Sequence, residues 1–103
     1  MTGIYQGHFQ FNQLGMLMSA PQAQGVYYCG SLNSQNQLIP AYIGRAKGNG
    51  VTINSRLNDH LRDDHWSGVT HFGYILCSTD QETIALEANE IASYKPIYNT
   101  IGK

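Results

Sequence analysis

The order of strand and helix signals predicts a small α/β sandwich: a three-stranded antiparallel sheet flanked by helices, in the order β-β-α-β-α, plus an N-terminal extension. Three observations carry this. Val26 to Cys29 and Leu38 to Gly44 are β-branched and aromatic runs separated by the turn cluster Asn33-Ser34-Gln35-Asn36, the pattern of an antiparallel hairpin. Two later stretches space their apolar residues at the helical period. Between them, Val69 to Cys77 reads as a third strand. With 103 residues, the chain has room for one small domain with one core.

Along the chain, residues 1–24 read as an extension of uncertain structure, with the weak signal of an irregular strand from Ile4 to Phe11. The domain itself runs from 25 to 103. Gly48-Asn49-Gly50 breaks the chain after the hairpin, and Thr52 is the expected N-cap of a helix reaching about Asp64. Thr79 or Asp80 caps a second helix through about Tyr94. Lys95-Pro96 stops it, because proline disfavours helical geometry in the residue before it.

Composition excludes several classes. No apolar run approaches the roughly 20 residues of a membrane span, and the first residues lack the basic start of a signal peptide. A cytoplasmic protein is expected. Cys29 and Cys77 are then reduced, strand-borne core residues. The net charge of −1 does not announce a nucleic-acid binder, but all 13 charged residues follow Gly44. Arg45, Lys47, Arg56 and Arg62 cluster within 18 residues, and could meet a few phosphates or form a mixed solvated surface with Asp59, Asp63 and Asp64.

Helical angle sharpens the search. In the second helix, with Ile84 at 0°, Ala88 falls at about 40° and Ile91 at about 340°, which defines an apolar stripe. Glu87 falls at about 300°, on its edge, whereas Glu90 at about 240° points to water. A carboxylate beside an apolar face needs a cation, a metal or a buried donor. In the first helix Ile53, Leu57 and Leu61 face the core, with Arg56 and His60 one turn apart on its flank. A metal-held phosphate would use Arg56, His60 and Glu87 together; an Arg56–Glu87 salt bridge would equally explain the pattern.

Gly25-Val26-Tyr27 followed by Tyr42-Ile43-Gly44 resembles the paired signature of the GIY-YIG nucleases. The likeness continues through Arg56, His60 four residues later, Glu87, and Asn99 after Pro96, covering residues 25–99. Val26 replaces the isoleucine of the name, and the interval from Tyr42 to Arg56 is longer than in repair-enzyme relatives. Gly3-Ile4-Tyr5 spells the motif literally, but no hairpin connects it to Tyr42, so Tyr27 is the better candidate.

The resemblance implies hydrolysis of DNA phosphodiester bonds with one divalent cation, Mg²⁺ or Mn²⁺, held by Glu87. Arg56, with Arg45 and Lys47, would contact phosphate. Tyr27 would be the general base or orient the attacking water. His60 is the alternative base, since an ordinary imidazole titrates at about pH 6.5. Tyr42 would hold water or phosphate, and Asn99 would brace the site. The remaining tyrosines read as strand aromatics and Trp66 as an anchor. His65 and His71 lack the further ligands of a zinc site.

Two other readings stand beside the nuclease: a catalytically silent nucleic-acid- or protein-binding module on the same fold, and a metal-independent structural protein. The uncharged stretch before Arg45 points to a homodimer through the N-terminal half, because charge is depleted at interface cores.

Overall fold

Four strands, not three, form the sheet. The computed structural model describes residues 3–48, 50–63 and 66–100, of Thr100 the backbone alone. Strands β1 (Gln6–Gln10), β2 (Gly25–Leu32), β3 (Leu38–Ala46) and β4 (His71–Leu76) are ordered β1-β4-β2-β3, and every pairing is antiparallel. The helices are α1 (Gln13–Ser19), α2 (Ile53–Asp63), α3 (Asp80–Tyr94) and the short α4 (Ile97–Thr100). The fourth strand comes from the expected extension. Residues 6–10 pair with β4, and α1 folds back so that Met16 is fully buried. Glutamines at positions 6 and 10 hide this strand from a search for alternating apolar residues.

Each element has a local cause. In the β2–β3 turn the Asn33 side chain accepts from the backbone N–H groups of Gln35 and Gln37, and Asn36 adopts the left-handed backbone that asparagine tolerates. Gly48 and Gly50 both have positive φ, which a residue with a Cβ disfavours, so the chain can turn from β3 towards α2. Thr52 caps α2, its hydroxyl accepting from the Ser55 N–H at 3.0 Å. Thr79 accepts from Glu82 N–H, while the Glu82 carboxylate reaches back to Ser78 N–H, a reciprocal cap for α3.

The sheet separates two cores. Tyr27, Cys29 and Phe72 join Met16, Ile53 and Leu57 on the face covered by α1 and α2. Val26, Tyr28, Ile43 and Cys77 meet Leu86 and Ile91 of α3 on the other. Both cysteines are buried thiols.

α2 buries the expected face, Ile53 and Leu57. α3 does not. Ile84 is 43% exposed and Ala88 is exposed, while Thr83, Leu86, Glu87, Glu90 and Ile91 turn inwards. Glu90, expected in water, accepts a hydrogen bond from the Tyr28 hydroxyl at 2.6 Å. The expected stripe is mostly alanine, and the helix instead turns in the side on which Leu86 and Ile91 pack on the sheet and Glu87 and Glu90 find partners.

Candidate active site

β3 is an edge strand, and the cleft lies at that edge, where residues from both faces of the sheet converge. Tyr27, Tyr42, Arg45, Lys47, Arg56 and Glu87 line one cavity of about 440 Å³. Alternation along the strands explains the split: Tyr42 and Tyr27 point to the α2 side, while Arg45, paired with Val26, points to the α3 side where Glu87 waits. His60 does not line the cleft. It is buried behind Tyr27, with Nε2 hydrogen-bonded to the Tyr27 hydroxyl at 2.8 Å. The Arg56 guanidinium bears on that hydroxyl too, and also lies 3.7 Å from Asp59.

Burial pushes the Tyr27 phenol above its ordinary range, and the neighbouring Tyr42 adds to this; Arg56 pulls the other way without reversing it. Tyr27 is therefore a neutral hydroxyl held between a cation and an imidazole. Glu87 pairs with Arg45 at 2.5 Å, rather than with Arg56. Arg62, counted in the sequence cluster, turns away to Asp59 and Asp63, so the cleft holds three cations. Among the described residues no group of three or more His, Cys, Asp or Glu could hold a metal. A lone carboxylate fits Mg²⁺ or Mn²⁺, which take their other oxygens from water and phosphate; it does not fit zinc.

No protein-family model matches the chain. It is 36% identical over 92 residues to the UvrABC system protein C of Methanosphaera stadtmanae, a match spanning 77% of this chain and 14% of that protein. The protein of the same name from Bacteroides thetaiotaomicron is 30% identical over 97 residues, covering 86% of this chain and 15% of its own length. The GIY-YIG N-terminal endonuclease domain of UvrC from Thermotoga maritima, bound to its catalytic magnesium, superposes with a TM-score of 0.63. That match is 27% identical and covers 80% of this chain and 89% of that domain. The chain carries the GIY-YIG nuclease domain.

The geometry explains why a GIY-YIG domain needs these residue types here. A Cβ at Gly44 would collide with the ring and hydroxyl of Tyr27, so the last glycine of the motif is the space in which that tyrosine lies. Gly25 is similarly closed off by the carbonyl of Ile75. Asn99 lies on α4 and does not line the cleft. Its amide accepts from Ile43 N–H and donates to Ile43 C=O, both at 2.8 Å, satisfying edge-strand groups that have no neighbouring strand. It is a positioning residue that fixes the strand between Tyr42 and Gly44. We expect Asn99→Ala to cost about 2–4 kcal/mol, because two buried backbone groups lose their partner; urea unfolding measures this.

Trp66 carries more of the site than the sequence reading gave it. It stacks on Tyr42 with centroids 4.6 Å apart and packs 4.6 Å from His60, with Tyr98 and Phe11 as further stacking partners. Being the sole tryptophan was its only signal. Tyr5 stands with Tyr28 on the opposite face of the sheet from Tyr27, which removes it from this cleft. His71 sits on β4 beside Thr70, and His65 and Asp64 lie outside the described residues.

Proposed function

We propose that this chain is a divalent-metal-dependent endonuclease that hydrolyses DNA phosphodiester bonds in the cleft at the edge of β3. The observation that carries this is the convergence of Tyr27, Tyr42, Arg45, Lys47, Arg56 and Glu87 on one cavity from β2, β3, the segment after it, α2 and α3. The chain spans only 14% and 15% of the length of the two curated relatives, so their activity and substrate come to it as part of this proposal.

Arg56 would hold the non-bridging oxygens of the scissile phosphate in its planar fork, with Arg45 and Lys47 along the flanking backbone. Glu87 would hold the Mg²⁺ or Mn²⁺ ion, which supplies Lewis-acid stabilisation at the phosphate when bound. Tyr27 is the base: its oxygen takes a proton from the attacking water as its own proton passes to His60 Nε2. This needs the tautomer of His60 with Nε2 unprotonated, and no free phenolate has to form. Tyr42, braced by Trp66, orients the water by its hydroxyl.

The Arg45–Glu87 pair favours a second reading, in which the carboxylate keeps its arginine, binds no metal and the domain only binds. Supercoiled plasmid incubated with the protein in Mg²⁺, Mn²⁺ or EDTA separates the two. Relaxed or linear product with metal and none in EDTA supports the nuclease; retarded but intact plasmid under all three conditions overturns it.

Pairing of two copies belongs to the same reading, since one compact site attacks one strand. Residues 1–44 are uncharged, and α1 exposes Leu14, Leu17 and Met18, the last two by 81% and 77%. Phe9 is not part of this surface; it packs on Phe72 and Tyr74. Light scattering on a gel-filtration column is expected to give a dimer for the wild type and a monomer for Leu17→Lys/Met18→Lys. A wild-type monomer at every concentration rejects pairing. A cytoplasmic setting goes with a DNA substrate and with two reduced cysteines. Among the described residues no helix is long and apolar enough to cross a membrane.

A further inference from the structure

The face of the sheet away from Tyr27 has a recess of its own, of about 250 Å³. Three phenol rings wall it, those of Tyr5, Tyr28 and Tyr94, together with the His8 ring and the Glu90 carboxylate, and Ile75 also lines it. The Tyr5 and Tyr28 rings meet at 71° with centroids 5.5 Å apart, forming two sides of a corner. Tyr5 can lie there because position 73 is glycine, where a Cβ would run into its ring. Tyr94 stands 55% exposed at the end of α3. Glu90 is fixed by the Tyr28 hydroxyl, which donates to Oε1 at 2.6 Å. Burial holds the Tyr5 phenol up at about 12 and, with the Glu90 bond, pushes Tyr28 higher, so both rings are neutral near pH 7.

We propose that this recess binds an organic cation: an ammonium or guanidinium group on an aliphatic stem, as on a lysine or arginine side chain or a polyamine. Aromatic faces attract such a head group through their quadrupole, and a carboxylate beside them adds a full opposite charge. No Lys or Arg among the described residues lines the recess; its one titratable nitrogen-bearing side chain, His8, is engaged at Nδ1 by the Tyr5 hydroxyl at 2.9 Å. A nucleotide fits less well, because its phosphate would meet the Glu90 carboxylate and find no Lys or Arg, only the His8 ring. The volume falls below the roughly 300–1,000 Å³ of pockets for drug-sized ligands, which suits a head group rather than a large molecule. Nothing in the recess takes part in the cleft chemistry, so the proposal stands whether or not the chain cleaves DNA.

The test uses choline against its neutral isostere 3,3-dimethylbutan-1-ol, followed by NMR of the tyrosine ring protons. Choline is expected to shift the Tyr5, Tyr28 and Tyr94 signals saturably while the alcohol does not. Tyr94→Ala and Glu90→Gln are each expected to weaken binding by about 5-fold. Gln keeps an acceptor for Tyr28, so unfolding temperature and plasmid cleavage should stay at wild-type values. Spermidine and the amides of acetyl-lysine and acetyl-arginine then distinguish the sources. Tighter spermidine binding assigns a polyamine, and tighter binding of either amide assigns a side chain. Equal shifts from choline and the alcohol, no saturable shift, or binding unchanged in both variants overturns the proposal.

Discussion

Glu87→Gln is expected to lower plasmid cleavage by at least about 100-fold and to remove Mn²⁺ binding, with the fold intact. The amide preserves size and position at the cleft wall, but it cannot neutralise a divalent cation. Its loss of charge also releases Arg45; the Arg45 side chain is 43% exposed but that of Glu87 only 14%, so the amide, which still accepts from Arg45, keeps the change in stability modest. Electron paramagnetic resonance of Mn²⁺ reads binding without requiring catalysis. Glu90→Gln is the matched control, one turn along the same helix but facing Tyr28, and it should cleave at the wild-type rate. Equal loss in both variants would show that the effect is on α3 as a whole and not on a metal ligand.

Tyr27→Phe is expected to slow cleavage by about 10²–10⁴-fold, the range for removing a positioned general base. Only the hydroxyl goes. The ring still fills the space over Gly44, and His60 Nε2 loses one hydrogen-bonding partner at a stability cost of about 1 kcal/mol. Tyr5→Phe removes the same atom on the other face of the sheet and should leave the rate within a few fold. Single-turnover rates at saturating DNA make the comparison independent of binding. If Tyr5 proves essential and Tyr27 dispensable, the cleft has been assigned to the wrong strand pair.

What could be read from the sequence follows from how each residue earns its position. Ile53, Leu57 and Leu61 repeat at helical spacing, so the flank bearing Arg56 and His60 could be located by angle alone. α3 has a stripe, about 120° wide from Ile91 through Ile84 and Ala88 to Ala85, but it is largely alanine, and the helix turns the side bearing Thr83, Leu86, Glu87, Glu90 and Ile91 inwards instead. Its orientation goes with Leu86 and Ile91 packing on the sheet and with Glu87 and Glu90 finding partners on β3 and β2, and partners distant in sequence leave no periodic trace. Spacing places Glu87 at the edge of that stripe, whereas in the structure it lies within the inward-turned side, which shares only Ile91 with the stripe. The Arg45–Glu87 pair and the Trp66 brace leave no such trace, because each depends on a tertiary neighbour, and strand β1 shows only as the weak irregular signal from Ile4 to Phe11.

Placing the cleft tyrosines beside the rim of a sheet carries a hazard, since an open rim can recruit extended segments of other molecules and lead to aggregation. The strand meets this in two places. Pro40 has no N–H to offer, and it sits beside the bulge where pairing with β2 shifts register. Further along, the side-chain amide of Asn99 occupies both hydrogen-bonding groups of Ile43. The contact that aligns Tyr42 thus also makes the rim unavailable, so a variant lacking Asn99 should lose solubility along with geometry.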